Sequence, residues 1–176
     1  MPPRAILIAN RHPRLRLDRR AVARAIHILD AGFQPAPAHS HSSFDIRHST
    51  SPAVPAGELS LVFLTDAALA QLHADFLNDP SPTDAITFAG DPAQGTAGEI
   101  CVSADAALRQ VSSSAFRVSP SAFSAELTLY LVHGWLHLAG YDDRPPAKKR
   151  QMRRAEGRAL KLMRAAGAMP HFSLRR

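Results

Sequence analysis

The sequence predicts a mixed α+β domain: a small mixed sheet of about four strands with helices packed against it. Three observations lead there. Four short apolar runs, at residues 4–9, 58–64, 85–88 and 99–103, have strand length and composition. Five longer stretches carry helical spacing or capping signals, and the whole reads βα, βα, ββ, ααα, the order of an α+β fold. At 176 residues the chain can bury a core without covalent staples, and its single cysteine, Cys101, excludes an internal disulfide. The reading is one domain over 1–176, in a reducing, cytoplasmic compartment. Ala5 to Ala9 is too short for a signal-peptide core, and no apolar run approaches the roughly 20 residues of a membrane span.

The elements follow in order. Residues 4–9 form a first strand. Residues 18–32 place Val22, Ile26 and Leu29 at helical spacing, with Asp18 as N-cap and Gly32 as stop. Residues 34–57 are rich in Pro, Ala, Ser and His and have no period, so they read as a loop. Its His39, His41 and His48 fit a polar linker. In 58–64, Leu59, Leu61 and Phe63 alternate as in a strand, and Thr65 or Asp66 caps a helix running to Leu77. The stretch 78–84 is turn-rich. Residues 85–88 form a short strand, 90–98 a loop, and 99–103 a strand in which Cys101 reads as a small buried hydrophobe. A helix over 104–115 follows. Ser119 then caps a helix opened by Pro120 and ended by Gly140. A last, basic helix spans about 146–167.

Net charge is +6, and it is segregated. Residues 1–24 hold seven Arg and one Asp; residues 144–176 hold eleven Lys/Arg and one Glu. Two basic ends flanking an acidic centre suit a polyanion, with nucleic acid the first candidate. The last helix supplies Lys148, Lys149, Arg150, Arg153 and Arg154 as candidate cations for nucleic-acid phosphate, leaving Leu160 and Met163, with Met152 or Ala159, for an apolar stripe. The chain has no run of aromatics that would form a base-stacking platform.

Chemistry concentrates in HGWLHLAGYDD, residues 133–143. His133 and His137 are four apart, so both imidazoles project from one helix face and reach one ion. Gly140 lets the chain turn back, and an aspartate six residues after His137 can add a carboxylate. Two histidines and a carboxylate, with one position left to water, form a catalytic zinc pattern. Residue 134 is Gly, so the helix glutamate of H-E-x-x-H peptidases is absent. Glu126, seven residues before His133, can orient a ligand or act as a base through water, or simply pack. Asp84 is the second catalytic candidate; an Asp after Thr at a strand entry is also a common turn former.

HGWLHLAGYDD closely resembles the signature of the YbeY endoribonuclease family, in which His-Gly-x-Leu-His-Leu-x-Gly-Tyr-Asp is followed by a third His. FLNDPSPTDAITF at 76–88 and GEICVSADAA at 98–107 resemble two further motifs of that family, in the same order. The resemblance covers residues 58–143. It implies a zinc-binding α+β protein that cuts single-stranded RNA in ribosomal RNA maturation and ribosome quality control, with ribosomal RNA or the small subunit as partner and no role for DNA. It places the metal ligands on His133, His137 and Asp143.

The sequence departs from the family pattern twice. The third ligand is Asp rather than His; Asp143 is the assignment, Asp142 a supporting group, and the alternative is water in place of the missing His. An aspartate ligand adds negative charge, so the metal would acidify its water less strongly. The loop before Thr83-Asp84 also lacks the basic residue typical of the family, leaving Arg109, Arg117 or a cation of the last helix to hold phosphate. Two alternatives stand beside the nuclease: a non-catalytic ribosome-associated factor with a structural metal, and a metal-dependent hydrolase of another substrate. Zinc fits the ligand types, as nickel, cobalt or iron also would.

Overall fold

The computed structural model describes residues 3–34, 54–79, 81–114 and 119–175. The expected loop at 34–57 with its histidines, and Arg117, lie wholly or largely outside the described residues. The chain forms β1 (Ile6–Asn10), β2 (Leu15–Leu17), α1 (Arg19–Gly32), β3 (Glu58–Leu64), α2 (Asp66–Leu77), β4 (Ala85–Ala89), β5 (Thr96–Ser103), α3 (Ala104–Ser114), α4 (Pro120–Leu138), α5 (Pro146–Ala165) and β6 (Phe172–Leu174). This is an α+β fold built on a four-stranded mixed sheet of order β1-β3-β5-β4. The first three strands are parallel and β4 runs antiparallel to β5.

Capping side chains set the helix starts. Asp18 accepts from the Arg20 amide, Thr65 from Ala68 and Ser119 from Ala122, each satisfying a first-turn N–H that has no intrahelical partner. Pro120 and Pro146 occupy first-turn positions where a missing N–H costs nothing. Past the end of α4, Gly140 takes φ +89°, a left-handed conformation that turns the chain back toward the helix it has just left.

The core lies between one sheet face and α1, α4 and α5, with Leu59, Leu61, Phe63, Ile100, Leu127, Trp135, Leu136 and Met152 fully buried. A smaller cluster of Val62, Leu64, Leu69, Ile86 and Cys101 lies on the opposite face under α2. Buried on both faces, β3 shows a nearly continuous apolar run, as expected of a central parallel strand. Helix α4 is surrounded by β4, β5, α3, α5 and β6 and is apolar around most of its girth.

Gly134 brings α4 against the sheet. A Cβ there would lie 2.5 Å from Ile100 Cγ2 and 3.0 Å from Thr87 Oγ1. The glycine therefore sets how closely the two flanking histidines approach β4. Two elements were not expected from the sequence: β2 and β6, which pair as a separate antiparallel ribbon. Each is three residues long, too short to show an alternating pattern. Among the described residues no helix is long and apolar enough to cross a membrane.

Candidate metal centre

Glu126, Tyr130, His133 and His137 follow 4-3-4 spacing, so α4 presents all four along one stripe. At its C-terminal end the two imidazoles point their Nε2 atoms at each other, 2.9 Å apart. The turn after Gly140 returns Asp143 beneath them: Oδ2 lies 3.8 Å from His133 Nε2 and Oδ1 3.8 Å from His137 Nε2. These three are the group of potential ligands found among the described residues.

The other ring nitrogens define the tautomers. His137 Nδ1 lies 3.0 Å from the Tyr141 carbonyl, which can only accept, so that nitrogen carries the proton. His133 Nδ1 donates to Glu156 Oε1 at 2.8 Å. Both Nε2 lone pairs then face one point beside the Asp143 carboxyl. Two opposed lone pairs at that distance repel unless a proton or a metal cation lies between them. Zinc bonds of about 2.0–2.2 Å put tetrahedral donors roughly 3.3 Å apart, and the observed spacings bracket that value. The donor set therefore fits a zinc ion, with hydrogen-bonded histidines of the kind that hold such ions.

The electrostatics follow from the same contacts. Burial disfavours a charged His133, but the hydrogen bond and charge of Glu156, then Asp143 and Asp84, outweigh it, and the ring titrates above its ordinary value. His137 titrates below its ordinary value because it is buried and next to His133. Glu126 is pushed up by burial; a hydrogen bond from Tyr130 opposes this, while the charges of Asp84 and Glu156 add to it. Burial, with Glu126 and Asp84 beside it, also raises Tyr130.

Two solvent-open hollows meet at the triad. One, of about 380 Å³, is lined by Asp84, Glu126, Tyr130, His133, Asp143, Lys149, Arg153 and Glu156. The other, of about 700 Å³, runs along β4 and shares Asp84, His133 and Asp143, with His137 and Arg144 on its wall. A third, of about 540 Å³, adjoins the first through Asp84 and Tyr130 and contains Arg109, which is ion-paired with Asp66.

Asp84 and Glu126 face the hollow beside the triad. Asp142 also lines the larger hollow but is engaged otherwise: it accepts from the Arg144 amide and from Lys148 Nζ, both at 3.1 Å, and these contacts hold its carboxyl below the usual range. It braces the turn and supplies no donor to the triad. Of the helix cations, Lys149 and Arg153 line the hollow, and Lys148 is spent on Asp142. Arg150 and Arg154 are exposed elsewhere on α5, and neither lines the three hollows. Sequence reasoning missed Glu156. Its signal was slight: it is the one acidic residue on a helix otherwise full of Lys and Arg, four and seven residues after Met152 and Lys149 on the inward face.

Several known proteins are similar to this chain. A family model described as Endoribonuclease YbeY matches residues 37–164. The chain is 38% identical over 117 residues to the endoribonuclease YbeY of Chlamydia abortus, covering 64% of this chain and 73% of that protein. It is 40% identical over 123 residues to that of Chlamydia pneumoniae, covering 66% and 75%. With the Mycobacterium leprae protein of the same name it shares 33% over 118 residues, covering 60% and 64%. A Thermotoga maritima protein solved in solution has the same fold, with a TM-score of 0.50 at 17% identity over 93% of this chain and 94% of that one.

Proposed function

Because the chain belongs to the YbeY endoribonuclease family, we propose that it is a zinc-dependent endoribonuclease that cuts single-stranded RNA in ribosomal RNA maturation and ribosome quality control. The observation that carries this reading is the convergence of two histidine lone pairs and the Asp143 carboxyl at the junction of two open, cation-lined hollows. A structural metal would instead be closed off by protein on all sides.

His133, His137 and Asp143 would hold one zinc ion, which supplies a more acidic water and polarises a phosphoryl oxygen. Everything else falls to the chain's own side chains. Glu156 and the Tyr141 carbonyl fix the two rings with Nε2 inward. Lys149 and Arg153 face the hollow, where they take up charge on the RNA phosphate next to the cut. Glu126 is suited to accept and return a proton within that hollow, because its raised pKa brings it closer to neutrality. Asp84 lines the same hollow and can orient the attacking group, whether water or the ribose 2′-hydroxyl. The partner is ribosomal RNA, alone or within the small subunit, and the working compartment is the cytoplasm.

The test compares cleavage of single-stranded and duplex RNA of one sequence, before and after chelation and after zinc is restored. The proposal expects cleavage of the single strand alone, abolished by chelation and recovered with zinc. Cleavage that survives chelation, or equal cleavage of both forms, would overturn it.

A further inference from the structure

The ribbon of β2 and β6 has no part in the metal centre, yet it concentrates charge unusually. Its register pairs Leu15 with Leu174, Arg16 with Ser173 and Leu17 with Phe172, and the Arg175 amide donates to the Arg14 carbonyl at 2.9 Å. Side chains alternate across a strand, so Leu15 and Phe172 turn into the core while Arg14, Arg16 and Arg175 share the outer face. Arg14 and Arg175 stand directly across the ribbon from each other, an arrangement that costs stability when the charges are alike. None of the three has a carboxylate partner among the described residues. The nearest carboxylates in sequence or through His12 are already used: Asp18 caps α1, and Asp105 accepts from His12 and from the Asp66 amide.

The ribbon is also held rigidly. The buried His12 ring accepts the Arg14 and Leu15 amides at Nδ1 and contacts Asp105 through Nε2 at 3.1 Å. Asn10 Nδ2 donates to the Leu15 carbonyl. On the other strand, Ser124 Oγ exchanges hydrogen bonds with the Phe172 carbonyl and amide, both at 3.0 Å, fixing β6 to the N-terminal part of α4. Ser124 precedes His137 by thirteen residues, which places it about 20 Å along the helix from the metal centre.

We propose that this ribbon is a second RNA-binding surface, gripping the phosphate backbone of substrate outside the stretch that is cut; the assignment of RNA rests on the function proposed above. The planar guanidinium fork suits phosphate, and three of them on a preorganised face can engage successive phosphates with little ordering cost. A membrane-seeking surface would combine cations with exposed apolar side chains. Here the ribbon's larger apolar residues turn inward.

The experiment replaces Arg14, Arg16 and Arg175 together by Gln, and separately by Lys. Two substrates are used: a hairpin-bearing RNA long enough to span both surfaces, and a tetranucleotide, which at about 3.4 Å per stacked nucleotide cannot. The Gln variant should lose about tenfold or more in affinity for the long RNA, and its log–log salt slope should fall by about 2–3, at 0.7–0.9 per phosphate contact. Tetranucleotide cleavage should be unchanged, and the Lys variant should recover the slope. Unchanged affinity and slope for the long RNA overturn the proposal. So does an equal loss on the tetranucleotide, or a loss seen on anionic phosphatidylglycerol vesicles and not on RNA. If the wild-type chain cleaves neither substrate, the nuclease reading fails, while the binding comparison still decides the ribbon.

Discussion

Replacing Glu156 probes the metal centre at a residue that would not itself touch the ion. Its carboxyl accepts the His133 Nδ1 proton at 2.8 Å from a side chain only 16% exposed, which fixes the Nδ1–H tautomer of the neutral ring and turns Nε2 inward. Glu156→Gln keeps an acceptor oxygen in nearly the same place and removes the charge. Glu156→Ala removes both and leaves a half-buried N–H without its partner. Loss of such an orienting group typically costs 10–100-fold in metal affinity, or about 1.4–2.8 kcal/mol at 1.4 kcal/mol per decade. The Ala variant should lie toward the upper end and the Gln variant toward the lower. The assay is zinc competition against a chromophoric chelator near neutral pH, with thermal melting of the metal-free proteins as a check on folding. Stoichiometry at saturating zinc should remain one per chain, and excess zinc should recover most RNA cleavage. A zinc affinity for Glu156→Ala within twofold of wild type would refute the argument that Glu156 sets the His133 ring.

Two further outcomes follow from the packing and the charges. Gly134→Ala places a methyl 2.5 Å from Ile100 Cγ2, so denaturant unfolding should show a loss of about 1–3 kcal/mol, with weaker zinc binding as α4 lifts from the sheet. Glu126 has a folded-state pKa above its ordinary value of 4.5, so the native state binds its proton more tightly than the unfolded chain. Its contribution to stability therefore declines as pH rises from that value through the folded pKa. Glu126→Gln removes this decline. Melting curves of the metal-free proteins should show the variant gaining on wild type as pH climbs through that window, and a constant difference across it would contradict the assignment.

The sequence showed local features well and distant ones poorly. His133, His137, Gly140 and Asp143 fall within eleven consecutive residues, where helix geometry alone says what meets what. The strands of the four-stranded sheet were visible because each is a compact apolar run, and the starts of α1, α2 and α4 because their caps sit one residue ahead. Glu156 was hidden by distance: it reaches His133 across 23 residues, from a helix whose other charges are all positive. The ribbon was hidden for two reasons, strands of three residues each and a pairing that joins opposite ends of the chain. The role of Gly134 likewise depends on Ile100, a residue that the local motif does not contain. The helix cations were legible as a group, but their sorting was not. Only the packing of Met152, Ala155 and Ala159 against the core shows that Lys149 and Arg153 turn toward the hollow while Arg150 and Arg154 do not.

Under the proposed function, one metal ion held by the histidine pair is needed to cut RNA. The most direct measurement is metal content and single-stranded RNA cleavage side by side, on wild type and on His133→Ala/His137→Ala. Wild type should carry about one metal per chain and cleave RNA, and the double variant should do neither. Metal-loaded wild type that leaves RNA intact even with ribosomes supplied, or a double variant that still cuts, would contradict it.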